Sequence, residues 1–401
     1  MYQPDPVVLK KYADILIKFA LHGGKGVKEG EVVQCIVPDV AKPLYGPLQQ
    51  AILKSGAHPL MRFLATGFDK PFFKFASDAQ LTFFPTEYLH ARAHLIDHSV
   101  AIIADHDLHE LKDIDPQKLI KASESKKQMR VWLNDKEAQN KYSWTLALYG
   151  TPAMAKEAHM SLKRYWQQII DACFLSAIDP ITTWKQITKE INRVKNKLNA
   201  FPIDQLHIEA EDIDLWLTLG AQRQWLGGGG RNIPSFEVFT SPDWRGSHGH
   251  IGFNQPLYRY GNLITGIRLE FKNGRVSKAT AKTNQKLLRE MIARPDADKI
   301  GEFSLTDSRL SKITKFMANT LFDENIGGRY GNTHIAIGMS YKDTYDGNIA
   351  TVTKKTLDKL GFNNIYCGEH CDMMSTTDRT VTATLKDGST QRIYQNGQFT
   401  F

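Results

Sequence analysis

Hydrophobic and polar positions follow two different periods in the first part of the chain. Apolar side chains over residues 7–22 recur at helical spacing and stop at Gly23-Gly24, which predicts a helix. Short apolar runs, from 31–38 to 144–148, then alternate with amphipathic stretches. Strands that alternate with helices are typical of a parallel sheet with crossover connections. We therefore predict a doubly wound, mostly parallel α/β N-terminal domain over residues 1–152.

The pattern changes after residue 152. Two long helical patterns, over 153–177 and 179–200, are followed by runs in which apolar and polar positions mainly alternate. Tight turns between these runs are indicated by Asn273-Gly274, Asp387-Gly388 and Asn396-Gly397. We predict an α+β C-terminal domain with antiparallel strands over residues 153–401.

Composition and charge narrow the range of partners. The 401 residues are 42% hydrophobic and 23% charged, as in an ordinary globular protein. The net charge of +8 raises the question of nucleic acid. Lys and Arg are scattered, however, and no nucleic-acid-binding motif accompanies them, so a non-enzymatic basic binding protein is the weakest of our readings.

Three further features indicate the compartment. No apolar run approaches the length that spans a bilayer, and the first residues lack the pattern of a signal peptide. Four cysteines in a chain of this length do not form a disulfide framework. We expect a cytoplasmic protein without a membrane partner.

Three histidines in the first predicted domain could form a metal-binding face on one helix. His90, His94 and His98 recur every four residues and would share one face of a helix. No carboxylate or cysteine completes a ligand shell in this pattern, so we interpret them as ordinary structural histidines.

The last third of the chain contains better metal ligands. His370 and Asp372 point to the same side if their segment is a β-strand, since side chains alternate with period two. His334 lies on another alternating run, and Glu237 and Glu302 are carboxylates in apolar strands. A buried carboxylate must be paired, protonated or bound to metal. Each of these residues alone also fits an ordinary structural role.

Tyr341 ends the run that contains His334. The two residues are seven positions apart and would lie on opposite faces of a regular strand. A bend near Gly338 would bring them together, and the sequence leaves both arrangements open.

Five segments together resemble the thermophilic-type metalloaminopeptidases, the family of aminopeptidase S, aminopeptidase T and PepS. These segments are 232–242, 301–303, 319–325, 334–338 and 370–374, and they occur in the family's order. The resemblance implies a cytoplasmic, homodimeric exopeptidase that removes the first residue from peptides with a free N-terminus. It also implies two divalent metal ions per chain, of zinc, cobalt or manganese, that act through a metal-bound hydroxide.

The resemblance also implies the roles of individual residues. The metal ligands would be Glu237, Glu302, His334, Tyr341, His370 and Asp372. Catalytic roles would fall to Glu302 as the bridging ligand and to Tyr341 at the oxyanion, and Glu324 would be either the proton-transfer group or a further metal ligand. The sequence departs from the family pattern at residues 326–331, which look inserted between Glu324 and His334, so the position of Glu324 is left open.

A different reaction fits part of the same set. His334, His370 and Asp372 form two histidines and one carboxylate, the ligand set of a mononuclear iron ring-cleaving dioxygenase. A second metal requires Glu237 and Glu302, whereas an iron triad does not. Both glutamates are present, which favours the peptidase.

Overall fold

The chain forms two compact units. A computed structural model describes residues 2–401. The first unit comprises the chain up to Gln186 together with Gly229–Ser235 and Tyr260–Asn262. The second unit comprises Ile187–Gly228, Phe236–Arg259 and Leu263–Phe401. The predicted division at residue 152 stays a prediction. The first unit extends beyond it, to Gln186, which lies inside the helix Pro180–Ala200.

The helices are α1 (Pro6–Ile15), α2 (Lys42–Lys54), α3 (Asp69–Phe75), α4 (Asp78–Leu81), α5 (Thr86–Leu95), α6 (Pro116–Ser125), α7 (Lys127–Ala138), α8 (Pro152–Glu157), α9 (Leu162–Ala172), α10 (Pro180–Ala200), α11 (Gln285–Ile292), α12 (Thr320–Asp323) and α13 (Lys354–Lys359). A π-helical turn, Leu16–Ala20, extends α1, and 3-10 turns occur at Asp39–Ala41 and Lys342–Thr344.

The strands are β1 (Val32–Pro38), β2 (His58–Leu64), β3 (His98–Ile103), β4 (Ser143–Leu148), β5 (Ile203–Ala210), β6 (Ile213–Thr218), β7 (Leu226–Gly227), β8 (Asn232–Ile233), β9 (Glu237–Thr240), β10 (Asp243–Phe253), β11 (Leu257–Arg259), β12 (Asn262–Ile264), β13 (Ile267–Lys272), β14 (Arg275–Thr280), β15 (Ile300–Thr306), β16 (Asn332–Gly338), β17 (His370–Ser375), β18 (Thr380–Leu385), β19 (Thr390–Gln395) and β20 (Gln398–Phe399).

The first unit contains a parallel sheet with strand order β2-β1-β3-β4-β8. Its opening helix begins where the sequence predicts, because the Asp5 carboxylate accepts a hydrogen bond from the Val7 N–H at 2.7 Å and Pro6 occupies the first helical position. The predicted α/β class of this region is confirmed.

Two helical predictions are wrong in this unit. The single helix expected over 153–177 is two helices, since the Ser161 hydroxyl caps the start of α9 and His159 adopts a left-handed φ of 52°. The helix expected to carry His90, His94 and His98 ends at Leu95, and His98 begins β3. The four-residue spacing of the histidines continues beyond the end of the helix, so spacing alone wrongly placed His98 on the helical face.

The second unit contains an antiparallel sheet of eight strands, in the order β14-β13-β10-β6-β5-β18-β19-β20. The hairpin at Asn273-Gly274 joins β13 to β14, and the turns at Asp387-Gly388 and Asn396-Gly397 join the last three strands. The predicted C-terminal antiparallel architecture is confirmed.

A second antiparallel sheet in this unit has the order β17-β16-β15-β9-β7. Every residue of its strands β15 and β16 is buried. The Tyr394 hydroxyl on β19 donates a hydrogen bond to the carbonyl of Thr306 on β15 at 2.8 Å, which ties this sheet to the eight-stranded one. Because both faces of its central strands are buried, their polar side chains need partners inside the protein.

Among the helices of residues 2–401, none is long and apolar enough to span a membrane.

Candidate metal centre

Strand register brings distant ligands onto one face of the five-stranded sheet. On β15 and β16, Glu302 lies opposite Ala336, which on its other side lies opposite Asp372 of β17. His334, two residues before Ala336, therefore shares their face. Phe303, the residue after Glu302 on β15, points to the opposite face. Its ring packs edge-on against that of Trp225, with 6.0 Å between the ring centroids. One face thus holds the ionisable groups and the other holds the apolar core.

Glu302 stands at the middle of this face, and its two oxygens have different neighbours. Its Oε1 lies 3.5 Å from Nε2 of His334, and its Oε2 lies 3.2 Å from Nε2 of His370. The carboxylate is therefore shared between two imidazoles.

A further carboxylate completes a group around each histidine. Glu237 on β9 places Oε2 at 3.4 Å from Nε2 of His334, and Asp372 places Oδ1 at 3.4 Å from Nε2 of His370. Two sets of three donor atoms result, each with its atoms within 4.8 Å of one another, and Glu302 belongs to both. Mixed imidazole and carboxylate donors at this spacing fit borderline divalent cations.

The site is closed at one end and open at the other. The side chains of Glu302 and His334 are 4% and 2% exposed, whereas that of His370 is 17% exposed. Solvent therefore reaches the centre from the His370 side.

The excess of carboxylates determines the protonation of the histidines. Burial lowers the pKa of His334, but its hydrogen bond to Glu302 and the charges of Glu302 and nearby carboxylates outweigh burial and raise that pKa to about 9. Burial likewise opposes a raised pKa at His370, where the charge of Asp372 prevails and holds the pKa well above its usual value. The carboxylates therefore favour positive charge here, either as protons on the two imidazoles or as a cation held between neutral imidazoles and carboxylates.

The second ring nitrogen of each histidine differs in its contacts. Nδ1 of His370 lies 2.9 Å from the carbonyl oxygen of Met339, to which a protonated Nδ1 donates. When a cation replaces the second proton, this hydrogen bond keeps the remaining proton on Nδ1 and leaves the Nε2 lone pair facing Glu302 and Asp372. Nδ1 of His334 is buried and makes no hydrogen bond within residues 2–401.

Gly338 resolves the position of Tyr341 that the sequence left open. Strand β16 ends at Gly338, where φ is +98°, so the chain leaves the regular alternation there. The Tyr341 N–H donates to the Ser241 hydroxyl at 2.9 Å, and the Tyr341 ring meets the His370 ring edge-on at 4.8 Å. The bend therefore brings Tyr341 to the centre.

The Tyr341 hydroxyl keeps its proton at neutral pH. Burial and the charges of Glu302 and Asp372 raise the pKa of Tyr341 well above its usual value, and Glu324 contributes to the same shift. The phenol is therefore a hydrogen-bond donor in this structure.

Glu324 follows α12 and is buried. Its neighbour Asn325 accepts a hydrogen bond from the Phe236 N–H at 2.7 Å, directly before Glu237. Asn325 also donates to Glu324 at 3.4 Å. This network brings Glu324 near the strand of Glu237, although Glu324 belongs to neither three-residue ligand group of the described residues.

Sequence reasoning missed the ion pairs that hold the His370 segment. The buried Glu369 carboxylate accepts from Arg259 at 2.6 Å and from Arg294, and its carbonyl accepts from the Met339 N–H at 2.8 Å. The available signal was the position of Glu369 next to His370, but its arginine partners are distant in sequence.

The fold and this centre define a metallopeptidase. The family model described as thermophilic metalloprotease (M29) matches residues 7–399. The chain belongs to this family, and the predicted resemblance and enzyme class are confirmed. Membership implies a divalent metal and peptide substrates, and it favours the peptidase over the ring-cleaving dioxygenase.

Named relatives agree with this family. Aminopeptidase 2 of Geobacillus stearothermophilus is 27% identical to the chain over 98% of both sequences. Aminopeptidase PepS of Streptococcus thermophilus is 29% identical over 65% of this chain and 66% of its own length. The structure of wild-type AmpT from Thermus thermophilus superposes with a TM-score of 0.83 at 21% identity, covering 98% of this chain and 99% of that one, which establishes the shared fold.

The bend at Gly338 gives a test of the site's geometry. A Cβ at Gly338 would collide with the Glu369 carbonyl in addition to the strain of φ +98°. We expect Gly338→Ala to lower the free energy of unfolding by about 3 kcal/mol in urea denaturation. Gly328→Ala is the matched control, since Gly328 also has positive φ (+56°) but open space around it. It should cost about 1 kcal/mol, and equal costs at both positions would contradict the close packing described here.

Proposed function

We propose that the chain is an aminopeptidase whose centre holds two divalent cations, with Glu302 as the ligand common to both. The observation that supports this proposal most directly is the division of the Glu302 carboxylate between His334 and His370 at 3.5 and 3.2 Å. A carboxylate that serves one metal would not need a histidine at each oxygen.

We assign three donors to each cation from the two groups of side chains. His334, Glu237 and Oε1 of Glu302 would hold one cation, and His370, Asp372 and Oε2 of Glu302 would hold the other. Zinc, cobalt and manganese all accept imidazole and carboxylate ligands. The mononuclear iron alternative leaves the buried Glu237 beside His334 without a role.

The bound cations would lower the pKa of a water molecule toward neutrality and polarise the scissile carbonyl. Tyr341, whose ring lies edge-on to that of His370 with 4.8 Å between the ring centroids, would donate a hydrogen bond to the carbonyl oxygen as negative charge develops there. Its predicted role as a metal ligand remains an alternative for the same hydroxyl.

Glu324 is our candidate for proton transfer. It is buried beside the centre, and its charge acts on Tyr341. A carboxylate outside the two ligand groups can take a proton from the nucleophile and deliver it to the leaving amine. The preference for the amino end of the peptide is proposed from the relatives, which are named aminopeptidases.

Glu302 provides a test of the shared ligand. Glu302→Gln removes one anionic oxygen from the centre at nearly constant volume, so we expect kcat/KM on amino-acid arylamides to fall by at least about 100-fold. Glu290→Gln on the exposed face of α11 is the matched control and should stay within about twofold of the parent. Thermal unfolding of both variants checks that they fold. Parent-like activity of folded Glu302→Gln would contradict the assignment.

Metal removal tests the cofactor and its number. A chelator should abolish arylamide hydrolysis, and zinc, cobalt or manganese should restore it, because the ligand set suits all three. Anomalous diffraction from cobalt-loaded crystals should place two peaks beside Glu302, one near His334 and one near His370. A single peak would contradict the dinuclear centre.

We also propose that the chain forms a homodimer through the first unit. Large apolar side chains are exposed over residues 63–95, among them Phe72 at 49%, Phe75 at 78% and Phe83 at 73%. An apolar surface of this kind is typical of a protein interface, and the family resemblance suggests a second copy as its occupant.

Sedimentation tests this interface. The double variant Phe72→Asp/Phe75→Asp should shift the protein from dimer to monomer at micromolar concentration, because two charges would be buried without partners. Val7→Asp is the control, as Val7 is 60% exposed at the start of α1, outside the apolar segment. An unchanged dimer in the double variant would show that this surface is not the interface.

A further inference from the structure

A second cluster of potential metal ligands lies in the first unit. It consists of His22, Glu31 and His98, with Ser143 beside them. Glu31 directly precedes β1, His98 begins β3 and Ser143 begins β4, so the cluster lies at the amino edge of the parallel sheet. His22 follows the π-helical turn that ends at Ala20. None of these residues belongs to the catalytic centre in the second unit.

The donor atoms converge on Glu31, and both ring nitrogens of His98 lie within hydrogen-bond distance of a partner, Ser143 and Glu31. Nε2 of His98 lies 2.9 Å from Oε2 of Glu31, and Nδ1 of His22 lies 3.8 Å from Oε1 of Glu31. All three donor atoms lie within 4.8 Å of one another. Nδ1 of His22 is buried and has no hydrogen-bond partner in residues 2–401. A buried ring nitrogen aimed at a carboxylate beyond hydrogen-bond distance indicates a missing ligand.

The spacing fits a small cation. Tetrahedral zinc with bonds of 2.0–2.1 Å separates its donor atoms by about 3.3 Å. The separation from His98 to Oε2 of Glu31, 2.9 Å, and that from His22 to Oε1 of the same carboxylate, 3.8 Å, lie on either side of this value. Side-chain adjustments of a few tenths of an ångström would therefore suffice. Two imidazoles and one carboxylate are a known zinc ligand set that leaves a fourth position for water.

Neighbouring groups hold the ligands in place. The Ser143 hydroxyl accepts from the His22 N–H at 3.0 Å and lies 2.9 Å from Nδ1 of His98. Because a hydroxyl oxygen has two acceptor positions, it can also accept from Nδ1–H of His98, which leaves Nε2 unprotonated for a metal. Oε2 of Glu31 accepts from the Lys28 N–H at 2.6 Å, which orients the carboxylate.

We propose that His22, Glu31 and His98 bind one zinc-class divalent cation that cross-links the end of the first helical segment to the starts of β1 and β3. The site has a stabilising role. Doubly wound sheets bind substrates at the carboxyl ends of their strands, and this cluster lies at the opposite edge. The cation would join residues that are far apart in sequence, at positions 22, 31 and 98. A cation that binds the folded state and not the unfolded chain raises the thermal stability of the protein.

His22 offers a substitution that separates metal binding from folding. Its φ is +54°, a conformation that asparagine tolerates better than most residues, so His22→Asn removes the ring nitrogen and keeps the backbone. His159 provides the matched control, since it also has a left-handed φ, of 52°, and is exposed outside the cluster. Glu31→Gln is a second test variant of nearly constant volume.

The experiment uses the full chain and zinc. After dialysis against equal free zinc, elemental analysis should find one zinc per chain less in His22→Asn and Glu31→Gln than in the parent and His159→Asn. The difference is independent of how many cations the catalytic centre holds. Zinc should also raise the midpoint of thermal unfolding of the parent by several degrees more than that of His22→Asn.

Cobalt gives a spectroscopic check on the same variants. The parent and His159→Asn should show the same visible absorption from bound cobalt. In His22→Asn and Glu31→Gln this absorbance should fall by the amount that one cobalt ion per chain contributes. Equal zinc content and equal zinc-dependent stabilisation in the parent, His22→Asn and Glu31→Gln would overturn the proposal. The cluster would then be a hydrogen-bonded contact between histidines and Glu31 only.

Discussion

The second unit depends on the burial of several ionisable side chains against one face of a single sheet. An isolated charge in such a place would cost several kcal/mol, so the group is stable only as a set in which carboxylates and imidazoles compensate one another. Glu302 is the residue on which this compensation depends. It lies on a fully buried strand, and its two oxygens reach His334 and His370 at 3.5 and 3.2 Å.

The surrounding structure serves to hold these partners at their distances. The ladder of β15, β16 and β17 places Glu302, Ala336 and Asp372 in one row. At the end of β16 the positive φ of Gly338 turns the chain, and Glu369, paired with two arginines, fixes the segment that enters His370. These contacts are rigid because they lie in strands and buried ion pairs, which is what a preorganised metal centre requires.

The two units use similar donor types at different positions in their sheets. In the second unit the candidate ligands lie within antiparallel strands or at their first residues, and alternation gathers them on one face. In the first unit His22, Glu31 and His98 come from the connections and ends at the amino edge of a parallel sheet. The first arrangement suits a reaction centre that opens to solvent beside His370, whereas the second suits a link between chain segments.

Most strands, the hairpin turns and most candidate ligands of this protein could be predicted from its sequence. Alternation identified the strands of Glu237, Glu302, His334 and His370 with Asp372, because period-two burial depends only on neighbouring residues. The Asn-Gly and Asp-Gly turns likewise fixed the hairpins. Three further features required the folded structure. These are the turn at Gly338 that brings Tyr341 to the centre, the arginine partners of Glu369, and the position of His98 beside His22 and Glu31 at the start of a strand. Each depends on contacts between residues far apart along the chain, and local periodicity contains no information about such contacts.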